Sequence, residues 1–125
     1  MSNIKLNHIL LIEDDKDILE VLKDLLESEG YVISCAENGK VAMNFLSASN
    51  ELPDLILVDL MMPLMNGFEF CQRIVEIDRL KSIPVIVMSA DGHIEKKKEQ
   101  LNVCEYLKKP LDLENVLETI SKYCH

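Results

Sequence analysis

The chain lacks most of the features that announce a special environment. None of its four cysteines (Cys35, Cys71, Cys104 and Cys124) forms a C-x-x-C pair, and no histidine stands at ligand spacing from one. That argues against a disulfide framework or a zinc site and leaves buried, reduced thiols as the expectation. No apolar run approaches the roughly 20 residues that a membrane-spanning helix needs. The N-terminal "MSNIKLNH" is polar, without the apolar stretch of a signal peptide. No G-x-G-x-x-G follows the first apolar run, and no G-x-x-x-x-G-K-[ST] occurs, so the common nucleotide cradles are missing. There is no internal repeat, low-complexity tract or linker. Positive charge is scarce: 13 Lys and Arg against 22 Asp and Glu leave a formal charge of −9. Such a surface repels phosphate backbones and anionic membranes, which argues against direct nucleic-acid or membrane binding. A cytoplasmic location is expected.

What is present is a regular alternation. The 125 residues, 48% of them hydrophobic, suit one domain over 1–125 with a core from about 8 to 123. "HILLIE" (8–13) is apolar throughout and closed by acid, as in a strand buried on both faces. Ile18, Leu22 and Leu25, with Leu19 and Leu26, form one face of a helix that Gly30 stops. Asp17 with Glu20 fits a capping box, and Asp15 is a second candidate cap. "YVISCA" (31–36) and "DLILVD" (54–59) read as strands, with a helix over 38–49 between them. A turn-rich loop, "MPLMNG" (62–67), leads to a third helix with Phe68, Cys71, Ile74 and Val75 on one face. "PVIVMS" (84–89) and "CEYL" (104–107) are the last strands, followed by helices over 93–101 and 113–123 respectively. Five strands alternating with five helices, (βα)5, give an α/β fold with a parallel sheet wrapped on both faces.

Ligands of such sheets bind at the carboxyl ends of the strands. Those ends carry Glu13 and Asp14 on strand one, Asp59 on strand three and Ser89 on strand four, with Lys108, Lys109 and Pro110 after strand five. Three carboxylates, a hydroxyl and an ammonium are therefore expected at one edge of the sheet. Carboxylates are hard oxygen ligands suited to Mg²⁺. Lysine pairs with phosphate, and a serine hydroxyl can donate to a phosphoryl oxygen. An aspartate can be the nucleophile that becomes an aspartyl phosphate.

"LLIEDDKDI", "PDLILVDLMMPLMNGFEF", "IPVIVMSA" and "EYLKKPLDLENVLETI" resemble the receiver domain of bacterial two-component response regulators, in order, from about Ile9 to Ile120. The resemblance implies a flavodoxin-like, doubly wound three-layer fold with strand order 2-1-3-4-5. It makes Asp59 the phosphoacceptor, charged by a histidine kinase or histidine phosphotransfer protein. It implies Mg²⁺, with Mn²⁺ an acceptable substitute, ligated by Asp14, Asp59 and the backbone carbonyl of Met61, with Glu13 assisting. Lys109 pairs with the phosphate and precedes a cis Pro110, while Lys108 faces solvent. Ser89 and Tyr106 match the family's switch pair, and Asp91 stands at a position that tunes phosphoryl lifetime.

The chain is thus expected to be a signalling phosphoacceptor and not a turnover enzyme. It would pass a signal to a protein target through the face of its fourth helix, fifth strand and fifth helix. A stand-alone monomer is expected, with dimerisation on phosphorylation left open. One alternative is a receiver module cut from a longer regulator with an output domain. Another is a Mg²⁺-dependent phosphatase with an Asp nucleophile. That class places its nucleophile after strand one with a second Asp two residues on, whereas here Asp14 leads to Lys16.

Overall fold

Apolar runs of four to six residues become strands when both of their faces can be covered. A computed structural model describes residues 7–60, 67–90 and 103–124. Its elements are β1 (His8–Ile12), α1 (Lys16–Ser28), β2 (Val32–Ala36), α2 (Gly39–Ala48), β3 (Leu55–Asp59), α3 (Gly67–Val75), β4 (Val85–Ser89), β5 (Glu105–Lys108) and α4 (Leu113–Ser121). The five strands form one parallel sheet in the expected order β2-β1-β3-β4-β5. The helix expected over 93–101 lies outside the described residues, so α4 is the element read from sequence as the fifth helix. Among the described residues no helix is long and apolar enough to cross a membrane.

Side chains alternate across a strand, and the alternation divides the core in two. Ile9, Leu11, Leu55, Leu57, Ile86, Met88 and Leu107 pack with Leu22 and Leu26 of α1 and Val116 and Ile120 of α4. Leu10, Ile12, Ile56, Val58, Val85 and Val87 pack with Ala42 and Leu46 of α2 and with Phe70, Cys71 and Ile74 of α3. The result is the three-layer sandwich expected from the sequence, with a separate apolar layer on each face of the sheet.

Helix ends explain the local boundaries. Asp15, not Asp17, caps α1: its carboxylate accepts from the backbone N–H of Asp17 and Ile18 at 2.9 and 3.2 Å. Asp17 is instead the acidic residue of the first turn, where the helix dipole favours it. The C-terminus closes with Gly30 at φ +94°, with Gly30 N–H donating to Glu27 and Tyr31 N–H to Leu26. This paired closure requires a left-handed residue, which glycine adopts without strain. Helix α2 has no basic residue in its last turn. Arg79 supplies the missing donors from outside, reaching the carbonyls of Leu46 at 2.9 Å and Ser49 at 2.8 Å.

Two expectations need correction. The buried stripe of α3 is Gly67, Phe70, Cys71 and Ile74, whereas Val75 is exposed and Phe68 half-buried. The stripe keeps helical spacing but starts on a glycine, which apolar counting does not register. The cysteines are free, but only Cys71 and Cys124 are buried; Cys104 is half-buried, and Cys35 is exposed on the edge strand β2. Burial pushes the Cys71 thiol up to about 12, so it stays protonated and unreactive.

Replacing the α1 cap, Asp15→Ala, should lower stability by about 1 kcal/mol in urea titrations. An unchanged midpoint would show that the cap does not hold this helix.

Candidate functional site

The strand alternation also builds the site. Continuing Ile9 and Leu11 places Glu13 on the α1/α4 face, and continuing Leu55 and Leu57 places Asp59 there too. Lys109 shares the parity of Leu107, whereas Lys108 faces the other way and is exposed. Only the second lysine can therefore meet the carboxylates, which is a physical reason for the register that the motif implied. Glu13 is fully buried and Asp59 is 3% exposed, while Asp14, two residues past the end of β1, is exposed.

Lys109 Nζ donates to Glu13 Oε1 at 2.8 Å and to Asp59 Oδ2 at 3.1 Å. One oxygen from each of Glu13, Asp14 and Asp59 lies within 4.8 Å of the others. Among the described residues no hydrogen-bond donor reaches Glu13 Oε2, although it is buried. A buried carboxylate oxygen without a donor is costly unless a cation meets it. One ammonium cannot neutralise two buried carboxylates, and Glu13 yields. Burial raises its pKa from 4.5 to about 8, the adjacent Asp59 carboxylate adds to the rise, and Lys109 opposes it. For Lys109, burial acts to lower the pKa. The hydrogen bond it donates to Glu13 and the charges of both carboxylates outweigh that, and the net shift is upward.

The other expected residues fall around this centre. Ser89 is 1% exposed at the end of β4, the strand next to β3. Its carbonyl accepts from Lys109 N–H at 2.9 Å, which ties the turn after β5 to the end of β4. The Lys109–Pro110 peptide is cis, as expected. Tyr106 is half-buried against the apolar layer on the α2/α3 face, and the alternation along β4 puts Ser89 on that same face. Met61 and Asp91 lie outside the described residues. Sequence reasoning missed Gly67, which closes the loop after Asp59: its N–H donates to the Leu60 carbonyl at 3.2 Å. The "NG" of the turn-rich loop was its only signal. An apolar groove of about 440 Å³ opens beside the site, lined by Ile18, Val21, Lys109, Pro110 and Leu113 among others.

The donor set suits a hard divalent cation: three carboxylates, one with a buried oxygen that no donor among the described residues meets. A family model for the response regulator receiver domain matches residues 9–121. The chain belongs to that family. It is 32% identical over 117 residues to sporulation initiation phosphotransferase F of Bacillus subtilis, covering 92% of this chain and 91% of that one. It is 40% identical over 117 residues to the transcriptional regulatory protein CrdR of Helicobacter pylori, covering 92% of this chain but only 54% of CrdR. Among solved structures, response regulator TrrA of Thermotoga maritima, in complex with Mg²⁺-BeF, superposes with a TM-score of 0.83 at 30% identity, covering 94% of this chain and 99% of that one. Receiver domains bind Mg²⁺ at an acidic pocket and act as phosphoacceptors in two-component signalling, and the flavodoxin-like fold here is theirs.

The charge imbalance predicts a pH dependence. The unfolded chain releases the Glu13 proton near 4.5, and the folded chain holds it to about 8. Between these values the folded state binds more protons, so stability falls as pH rises. The raised Lys109 contributes stability below 10.5 and does not oppose this slope. In EDTA, the melting temperature should fall from pH 5 to pH 8, and Glu13→Gln should flatten the trend. Millimolar Mg²⁺ should also flatten it, since a bound cation favours the ionised carboxylates. A metal-free melt that rises over this range would contradict the assignment.

Proposed function

We propose that this chain accepts a phosphoryl group on Asp59 from the phosphohistidine of a histidine kinase or phosphotransfer protein. The observation that carries the reading is the buried Asp59 carboxylate, held by Lys109 and adjoined by the Glu13 and Asp14 carboxylates. A carboxylate oxygen of Asp59 attacks phosphorus. The new O–P bond forms as the P–N bond to the donor imidazole breaks, and the electron pair returns to the ring nitrogen. The product carries more negative charge than the carboxylate it replaces. Lys109, already within hydrogen-bond reach of Asp59, is placed to balance that charge.

Glu13, Asp14, Asp59 and the Met61 carbonyl would hold Mg²⁺, or Mn²⁺ in its place. When bound, the metal neutralises charge on the phosphoryl oxygens. Ser89 would donate its hydroxyl to the phosphoryl group, and Tyr106 would shift with it. The phosphodonor reaches Asp59 across the apolar groove that Lys109 lines, because a protein seated there stands beside the acceptor. The downstream target reads β5, α4 and the segment expected as the fourth helix. The covalent product remains on the chain, which makes it a switch and not a turnover catalyst.

Incubation with acetyl phosphate and Mg²⁺ should add one phosphoryl group by intact mass, and Asp59→Asn should abolish the addition. Asp14→Ala should eliminate Mg²⁺ binding measured by calorimetry, whereas Asp15→Ala should leave it within about twofold, since an exposed cap lies outside the ligand set. A native chain that gains no phosphoryl group would overturn the acceptor assignment.

A further inference from the structure

We infer that Gly67 is a positioning residue for the phosphoacceptor, acting through the backbone of Asp59. The inference rests on the reading of Asp59 given above. A Cβ built on Gly67 would lie 2.6 Å from the Asp59 carbonyl oxygen and 2.6 Å from Leu60 Cα, where real Cβ atoms essentially never come within 3.0 Å. Both neighbours are backbone, so no rotamer change relieves the contact. The demand is for space and not for a left-handed backbone, since the Gly67 φ lies outside the region that favours glycine.

Neither side can yield freely. Asp59 closes β3, a central strand paired with β1 and β4, and Leu60 N–H continues that pairing by donating to the Met88 carbonyl at 3.0 Å. On the other side, α3 starts at Gly67 and is anchored in the core by Phe70, Cys71 and Ile74. Helix α3 must therefore retreat from its layer, or the Asp59–Leu60 peptide must turn. Turning that peptide moves the Asp59 carboxylate relative to Lys109 and to Glu13 and Asp14. Misplacement of a reacting group by about 1 Å costs on the order of 100-fold in rate. Gly67 thus sets the acceptor's position without touching the phosphoryl group.

The test compares Gly67→Ala with Leu60→Ala. Leu60 is a buried core neighbour of the same contact, and its truncation costs stability without inserting an atom against the Asp59 carbonyl. Each variant is assayed for its urea midpoint, Mg²⁺ affinity and phosphorylation rate with acetyl phosphate, at a temperature where circular dichroism shows it folded. Gly67→Ala should lose about tenfold or more in phosphorylation rate and lose Mg²⁺ affinity. Leu60→Ala should stay within about threefold on both, despite an equal or larger loss of stability. Equal rates in the two variants would overturn the inference while leaving Asp59 as acceptor. If Gly67→Ala does not fold in plain buffer, it and Leu60→Ala are compared in trimethylamine N-oxide, which favours the compact state, and equal rates there overturn it equally. A wild-type chain that takes no phosphoryl group instead overturns the acceptor reading itself.

Discussion

One ammonium set between two buried carboxylates governs the functional end of this molecule. Adjacent strands of a sheet lie about 4.8 Å apart, so β5 and β1, three positions apart in the order, are separated by roughly 14 Å. Lys109 cannot span that distance from the plane of its own strand. The hydrogen bond from its backbone to the Ser89 carbonyl continues the β4–β5 pairing through the start of the turn and fixes where the side chain begins, and a glutamate at position 13 reaches further than an aspartate would. The long side chains and the tied turn together close the gap. The burial that makes Glu13 reach Lys109 also makes it hold a proton, so cation, proton and lysine compete for the same oxygens.

The architecture behind this centre was largely legible from sequence because strands buried on both faces leave unbroken apolar runs. "HILLIE", "DLILVD" and "PVIVMS" each mark a strand, and the acid or hydroxyl closing each run lands at the sheet's carboxyl edge. Glu13, Asp14, Asp59 and Lys109 could be named for that reason, and their convergence follows from topology. The choice of Lys109 over Lys108 came from motif register. The structure adds a physical cause in the two-residue period that aligns Lys109 with Leu107.

What stayed hidden depends on contacts distant in the chain. Glu13 and Asp14 look equivalent in "IEDD", yet one is fully buried and the other exposed: Glu13, just past β1, still donates its N–H to the Ala36 carbonyl of β2, and Asp14 follows that last bond. Gly67 looks like an ordinary turn glycine, and its importance lies in a backbone that approaches it from β3. The stripe of α3 was misread by one flank because its first buried member has no side chain. Asp15 and Asp17 could both cap α1 by sequence, and only the local backbone decides between them.

The two apolar layers have a mechanical corollary. They share no side chains, and the sheet between them is a continuous wall of paired backbone. Glu13, Asp59 and Lys109 lie on one side of that wall, whereas Tyr106 packs on the other. The shift proposed for Tyr106 would therefore have to couple to the acidic centre at the carboxyl edge of the sheet, where Ser89 closes β4 on the Tyr106 side.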